Sequence, residues 1–174
     1  MARPRTNDPA PSPPDGLAFL LSQVGAHSAS KFAERLALLE FTPAEVGILR
    51  LIRQSEGISQ QALGQRLGMF SSRMVAAIDG LESRKLVERR DSPTDRRSYA
   101  LHLTEAGREA LSRVGQVSRE HQEAICAALD AEERAQLADL LRRIAEEQGL
   151  TPGVHPGYRK LGDSAAKSPK PDCS

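Results

Sequence analysis

The chain has 174 residues, and its 24 Lys and Arg residues nearly balance 23 Asp and Glu residues, leaving a formal net charge of +1. With 39% hydrophobic and 27% charged residues, the composition indicates a globular protein of about one domain. No apolar run approaches the roughly 18 to 20 residues that a membrane span needs, and MARPRTNDPAPSPPDG lacks the apolar core of a secretory signal. We therefore expect a cytoplasmic protein that is neither secreted nor embedded in a membrane.

The cysteines and prolines limit the chemistry and mark the boundaries. Cys126 and Cys173 are far apart and form no CxxC motif, so we expect no disulfide scaffold, metal site or cofactor. Cys126 lies in an apolar helical pattern and is interpreted as a small buried residue. Nine of the eleven prolines fall in residues 1–14 or 150–174, which predicts disordered tails there and one folded domain over 15–149.

Four helices are predicted in the first half of the domain. Asp15 is the predicted N-cap of a long first helix, and Thr42 begins a second with Pro43 at its first position and Glu45 completing a capping box. Ser59 caps a short third helix that ends at Gly68. Ser71 or Ser72 then begins a fourth helix, running to about Arg84. Its predicted core-facing residues are Met74, Val75, Ile78 and Leu81.

A β-hairpin and two further helices are predicted next. LVERR and SYALHL have the spacing of short strands, and the intervening DSPTDRR is rich in turn formers. Thr104 then begins a long helix, and Asp130 caps a last one. The predicted fold is mainly α with a small β-wing, in which long helices from both ends of the domain flank a core at about 42–104.

This order of elements is that of a winged helix-turn-helix, in which the fourth helix enters the major groove of DNA. Ser71 and Ser72 can meet phosphates with their hydroxyls, and Arg73 can bond guanine with both arms of its guanidinium. The alternative interpretation is that the serines are only helix caps and Arg73 is only solvated. The neighbouring hairpin favours the DNA-binding interpretation.

The hairpin concentrates positive charge. From Arg84 to Arg97 there are six cations and three anions, a local excess of three, although the whole chain is nearly neutral. Arginine suits a narrow minor groove, and Asp95 can orient Arg97 through charge-assisted hydrogen bonds. The full set of predicted DNA-contacting residues is Ser59, Ser71, Ser72, Arg73, Arg89, Asp95, Arg96 and Arg97.

The run LESRKLVERRDSPTDRRSYALHLTEAG resembles the wing signature of the MarR family of bacterial transcription factors. The matching positions are Asp95, Arg97, Leu103, Thr104 and Gly107, and the resemblance extends over roughly residues 16–148. It implies a homodimer on a pseudo-palindromic operator of double-stranded DNA, with recognition helices in successive major grooves and wing arginines in the flanking minor grooves.

The resemblance also implies regulation, more often repression than activation, and in many members release by a small aromatic or phenolic effector. His27 and Met74 are the candidate effector-contacting residues, and the favoured alternative is that His27 is a satisfied polar residue and Met74 a core residue. Two positions depart from a favourable pattern. Lys85 stands where the family usually has glycine, at a cost on the order of 1 kcal/mol if it is left-handed, and Gly80 interrupts the fourth helix at a cost of about 1 kcal/mol relative to alanine.

The sequence also bears on two other classes of function, an enzyme and a protein-binding winged helix. An enzyme is not expected, because the chain lacks the HExxH, P-loop, GxGxxG and GxSxG motifs. A winged helix used for protein contact would carry apolar or acidic residues where this chain has Ser71, Ser72 and Arg73, so it remains the less favoured alternative. The sequence is equally compatible with a DNA-binding protein of this type that responds to an effector and with one that binds no effector.

Overall fold

The computed structural model describes residues 16–91 and 99–155, which form six helices and three short strands. The predicted disordered tails lie outside these residues, apart from 150–155 at the start of the C-terminal tail, and the hairpin loop at 92–98 lies outside them as well. The helices are α1 (Leu17–Ala37), α2 (Pro43–Gln54), α3 (Gln60–Leu67), α4 (Ser71–Ser83), α5 (Glu105–Ile125) and α6 (Ala131–Glu147). The strands are β1 (Ile58–Ser59), β2 (Val87–Asp91) and β3 (Tyr99–Leu103).

Local capping determines where most helices begin. The Thr42 hydroxyl accepts a hydrogen bond from the Glu45 amide at 3.2 Å, and the Glu45 carboxylate accepts one from the Thr42 amide at 2.7 Å. Asp130 and Glu133 form the same reciprocal box, and Thr104 caps α5. These starts are confirmed as predicted. For α1 the N-cap is Gly16, which makes no side-chain capping bond, so the Asp15 prediction is wrong by one residue.

The sheet contains one strand more than the predicted hairpin. Strand β3 lies between β1 and β2 and pairs antiparallel with both, with Ile58 opposite Leu101 and Val87 opposite Leu103. The two-residue β1 carries no alternating pattern that a sequence reading can detect, since its pairing depends on a strand more than forty residues away. This pairing attaches the start of α3 to the β2–β3 hairpin, which is called the wing below.

One apolar core joins the winged unit to parts of α1 and α5. Its largest fully buried side chains are Leu36, Val46, Ile48, Leu49, Ile52, Leu63, Leu67, Met74, Ile78, Leu81, Leu101 and Leu103. Only the C-terminal part of α1 and the N-terminal half of α5 contribute buried residues, and α6 contributes none. None of the helices within the described ranges is long and apolar enough to cross a bilayer.

Val75 is the one predicted core residue of α4 that faces outward, with 42% of its surface exposed. Met74, Ile78 and Leu81 recur at helical spacing and are at most 1% exposed. Val75 directly follows Met74 and is therefore rotated by about 100° around the helix, away from this narrow buried face. The prediction that Val75 packs in the core is wrong.

The turn after α4 uses a left-handed lysine. Lys85 has φ 57°, so this non-glycine residue does adopt the left-handed conformation considered from the sequence. The conformation lets the Leu86 amide donate to the Leu81 carbonyl at 2.9 Å, closing the helix end. The Lys85 carbonyl accepts from the Thr104 hydroxyl at 2.6 Å, so the strained turn is also bonded to the start of α5.

Gly107, in the first turn of α5, packs directly against the same turn. A Cβ atom at this position would lie 2.1 Å from the Leu86 carbonyl oxygen, whereas a Cβ atom on Gly80 would meet nothing within 4 Å. Both glycines are helical, but only Gly107 is required by packing. Gly80 is therefore tolerated and serves no close approach.

We predict opposite effects of the same substitution at these two glycines. Gly107→Ala should lower the free energy of unfolding by about 2 to 3 kcal/mol, because backbone atoms must move apart. Gly80→Ala should raise it by about 1 kcal/mol, because alanine is the better helix former and meets no neighbour. Urea unfolding of both variants measures the difference, and equal effects would contradict the packing assigned to Gly107.

Candidate nucleic-acid interface

The first turn of α4 is open to the surroundings. Phe70 occupies the N-cap position and forms no side-chain capping bond, so Ser71 and Ser72 are the first two helical residues. Both serines are exposed, and the alternative interpretation of them as caps is wrong. The first amide groups of a helix have no intrahelical acceptor and carry partial positive charge. This helix end can therefore bind a phosphate with amide and hydroxyl groups together.

Arg73 and Phe70 form the side of this helix end. The Arg73 guanidinium carbon lies 6.0 Å from the centroid of the Phe70 ring, at the outer limit of a cation–π contact. Phe70 is 74% exposed, which is unusual for a large aromatic side chain. Arg73 is half-buried, in the first turn where the sequence predicts it. Its contact with a base stays a prediction.

Ser59 lies at the edge of a groove of about 660 Å³ between α3, the start of α4 and β3. Its hydroxyl accepts a hydrogen bond from the Ala62 amide at 3.2 Å, so it caps α3 as predicted. The groove is lined by uncharged side chains and glycine backbone: Ser59, Gln60, Gln61, Gly64, Gln65, Gly68, Met69, Ser71, Met74 and Tyr99. Hydroxyl and amide groups along it can donate to phosphate oxygens.

Arg89, on β2, binds α4. Its guanidinium pairs with Asp79 at 2.5 Å and with Glu82, both on α4, and donates to the Gln60 side chain on α3 at 3.3 Å. The Arg89 amide also donates to Glu82, at 3.3 Å. One side chain thus connects the wing, the recognition helix and α3.

The electrostatics of this cluster keep Arg89 charged. Burial by itself would lower the pKa of Arg89, but hydrogen bonds and ion pairs with Asp79 and Glu82 outweigh it and raise the pKa above its ordinary value. With only 19% of its side chain exposed, Arg89 directs its charge inward. The geometry supports a positioning role, and direct contact of Arg89 with DNA stays a prediction. Asp95, Arg96 and Arg97 lie outside the described residues.

A second arginine contact was missed by sequence reasoning. The Arg84 guanidinium carbon lies 4.4 Å from the centroid of the Phe41 ring, and its nitrogen pairs with Glu45 at 3.1 Å. Arg84 follows α4, whereas Phe41 and Glu45 lie at the start of α2. This contact therefore attaches the C-terminal end of α4 to the N-terminal end of α2. No local pattern connects residues about forty positions apart.

The two predicted effector residues are in different surroundings. Met74 is 1% exposed, in the core and at the floor of the groove. His27 is exposed on α1 and is not among the groove-lining residues. The structure therefore does not bring them together in one cavity of the described residues, and their ligand contact remains untested.

His121 is a second histidine near His27 and lies where α5 packs on α1. Its Nε2 is 3.0 Å from the Ser28 hydroxyl, and its ring centroid is 5.2 Å from that of Phe32. Its Nδ1 is buried and has no hydrogen-bond partner within the described part of the chain. Burial, followed by the positive charges of Arg35 and His27, lowers the pKa of His121 below its ordinary value.

Short helices followed by a helix with an open first turn and an antiparallel wing define the winged helix-turn-helix fold. Residues 39–98 match the sequence model of the MarR family. A Thauera aromatica protein described as a putative transcriptional regulatory protein for the hcr operon is 34% identical over 137 residues, or 78% of this chain and 82% of that protein. The chain belongs to the MarR family and is a DNA-binding transcriptional regulator.

Solved structures share the fold. The transcriptional repressor CouR bound to a 23-mer DNA duplex is 31% identical, with a TM-score of 0.66 over 75% of this chain and 93% of that one. A mutant MarR from E. coli complexed with operator DNA is 27% identical, with a TM-score of 0.63 over 74% and 92%. Mycobacterium tuberculosis Rv2887 in complex with salicylic acid is 28% identical, with a TM-score of 0.61 over 74% and 96%.

We predict that His121 makes the fold sensitive to mild acid. Because its pKa is lower in the folded chain than its ordinary value of 6.5, the unfolded chain binds the proton more readily. The stability it contributes is complete above about pH 6.5 and is lost as pH falls through the folded pKa. Urea unfolding at pH 7.5 and 5.5 should show this loss in the wild type and a smaller loss in His121→Gln. The control is His102→Gln, and an unchanged loss in His121→Gln would refute the assignment.

Proposed function

We propose that two copies of this chain form a homodimer that binds a pseudo-palindromic operator and represses transcription, acting by binding and not by catalysis. The observation that carries the proposal is the open, serine-lined first turn of α4, a helix whose second half is held beside the wing by Arg89. Repression is supported by the relatives, since CouR and the mycobacterial Rv2887 are described as transcriptional repressors.

The dimer is supported by two apolar surfaces that the described core leaves uncovered. On α1 the exposed residues are Leu17, Phe19, Leu20, Leu21 and Val24, and on α6 they are Leu137, Leu140, Leu141 and Ile144. Helix α6 has no buried residue, so its apolar side does not contribute to the core of one chain. Exposed apolar helix surfaces of this kind favour pairing of two copies across a two-fold axis. Such pairing sets two recognition helices about one DNA turn, roughly 34 Å, apart.

The operator experiment uses the full chain, the DNA flanking its own gene and a random duplex as competitor. We expect tight, competitor-resistant binding with two protomers per site. Arg73→Ala should reduce the preference for operator over random DNA by about tenfold to a hundredfold, as expected for one lost guanine contact per half-site. Arg113→Ala on α5 removes the same charge outside the α3, α4 and wing surface, and should leave the preference unchanged.

Equal losses on operator and random DNA would assign Arg73 to a phosphate contact instead of a base. Equal binding of the wild type to operator and random DNA would direct the search to operators elsewhere in the genome, by selection of bound fragments. If no fragment is enriched, the operator proposal fails and protein contact becomes the better interpretation of the exposed α4.

A second, regulatory function is favoured by the buried Nδ1 of His121. An unpaired buried polar nitrogen is costly unless a partner satisfies it, and here the Phe32 ring and the Ser28 hydroxyl are adjacent. We propose that an aromatic carboxylic acid binds beside α1 and α5, with its ring near Phe32 and its carboxylate near the histidines. Its chemistry is that of the salicylic acid held by the mycobacterial relative.

Salicylate is the probe for this site. Increasing salicylate should raise the Kd of the wild type for its operator, and His121→Phe should reduce that effect severalfold while still binding operator without salicylate. Benzyl alcohol, which keeps the ring and lacks the carboxylate, should be much weaker. If His121→Phe and the wild type respond equally, the effector lies elsewhere or salicylate acts nonspecifically.

A further inference from the structure

The outward surface of α4 carries methyl groups where a recognition helix would present hydrogen-bonding side chains. Ser72, Val75, Ala76 and Asp79 follow the i, i+3, i+4, i+7 spacing of one helix face, and all four are exposed. Val75 is 42% exposed and lies outside the core, and α4 takes no part in the apolar surfaces of α1 and α6. This face, defined by these four residues, is called the outer face of α4.

The hydrogen-bonding capacity of the outer face is small. Val75 and Ala76 have no polar side-chain atoms, and Ser72 has a short side chain in the first turn. Asp79 is the one charged member, and its carboxylate is already paired with Arg89 at 2.5 Å. The centre of the face can therefore recognise a base edge mainly through apolar contact.

The major groove offers one apolar group to such a surface. Guanine, cytosine and adenine present only donors and acceptors there, whereas thymine presents a C5 methyl group beside its O4 acceptor. Valine and alanine side chains match that methyl group in size and polarity, and burying it against them removes apolar surface from water.

We propose that Val75 and Ala76 determine operator specificity by contacting thymine methyl groups in each half-site. The assignment rests on the proposed function, because only an α4 seated in the major groove brings these side chains to a base pair. Arg73, at the side of the same helix, contributes the polar part of recognition.

The Arg89 contact makes this apolar recognition compatible with DNA. An unpaired Asp79 carboxylate, 57% exposed and one turn beyond Val75, would repel the phosphates that flank the groove. Pairing with Arg89 compensates this charge and holds the carboxylate toward β2. The outer face then meets the groove without an uncompensated anion.

The test uses deoxyuridine, which differs from thymidine only by lacking the C5 methyl group. An operator is first selected from random duplexes with the full-length wild type, and each thymine is then replaced singly by deoxyuridine. We expect the Kd to rise about three- to fivefold at one or two positions per half-site, as for the loss of one buried methyl group. Replacements at the remaining thymines should have no effect and serve as internal controls.

Two variants connect the effect to the outer face. Val75→Ala removes the two γ methyl groups that extend furthest from α4, so at the sensitive position nearest Val75 it should bind the thymidine and deoxyuridine operators about equally. Ala76→Ser adds a hydroxyl group to the contact and should do the same at its own position. Leu38→Ala removes a side chain that is 85% exposed outside α4 and should keep the full discrimination.

Three results would overturn the inference. If no deoxyuridine replacement weakens binding to a selected operator, methyl recognition is absent although the operator proposal stands. If discrimination persists unchanged in both α4 variants, other residues contact the methyl groups. If selection enriches no sequence, the proposed function itself fails, and recognition by Val75 and Ala76 fails with it.

Discussion

The DNA-binding surface depends on one guanidinium, that of Arg89. It joins β2 to two carboxylates of α4 and to Gln60 of α3, so one side chain holds three elements in a fixed relative position. A half-buried arginine such as Arg89 needs partners for its donors, and here two anions compensate its charge. DNA recognition requires α4 and the wing to be correctly placed relative to each other. The contacts of Arg89 therefore set the geometry on which binding to the operator depends.

The C-terminal end of α4 is also fixed by the turn that follows it. The left-handed Lys85 turns the chain from α4 into β2, the Thr104 amide donates to the Leu86 carbonyl at 3.1 Å, and Gly107 lets α5 approach that carbonyl. Recognition helix, wing and α5 therefore meet at one peptide group. Since α5 also carries His121 at its contact with α1, the proposed effector site and the DNA-binding surface are joined by a continuous helix.

The apolar residues fall into two groups, one buried in the core and one exposed on α1 and α6. Those of α2, α3, α4 and the sheet close a core within one chain, whereas those of the first half of α1 and of α6 stay exposed. A monomer would present these surfaces to water at considerable cost, which is why we infer pairing of two copies. Val75 belongs to neither group, and its exposure on α4 is consistent with a role in contacting DNA.

The sequence alone predicts those features of the structure that depend on interactions between residues close together in the chain. The capping boxes at Thr42 and Asp130, the caps at Ser59 and Thr104 and the end of α3 at Gly68 act over three or four residues, so residue types and spacing suffice to predict them. The winged order of elements and the family resemblance follow from the same local signals.

Spacing along the sequence does not predict the strand β1, the partners of Arg89 or the ring contact of Arg84. The same is true of the His121 nitrogen that has no hydrogen-bond partner among the described residues. Each depends on groups from distant parts of the chain that packing brings together, and no spacing along the sequence records them. The exposure of Val75 has the same origin. Its hydrophobicity indicates only that valine can be buried, whereas the narrow width of the packed face of α4 leaves it outside the core.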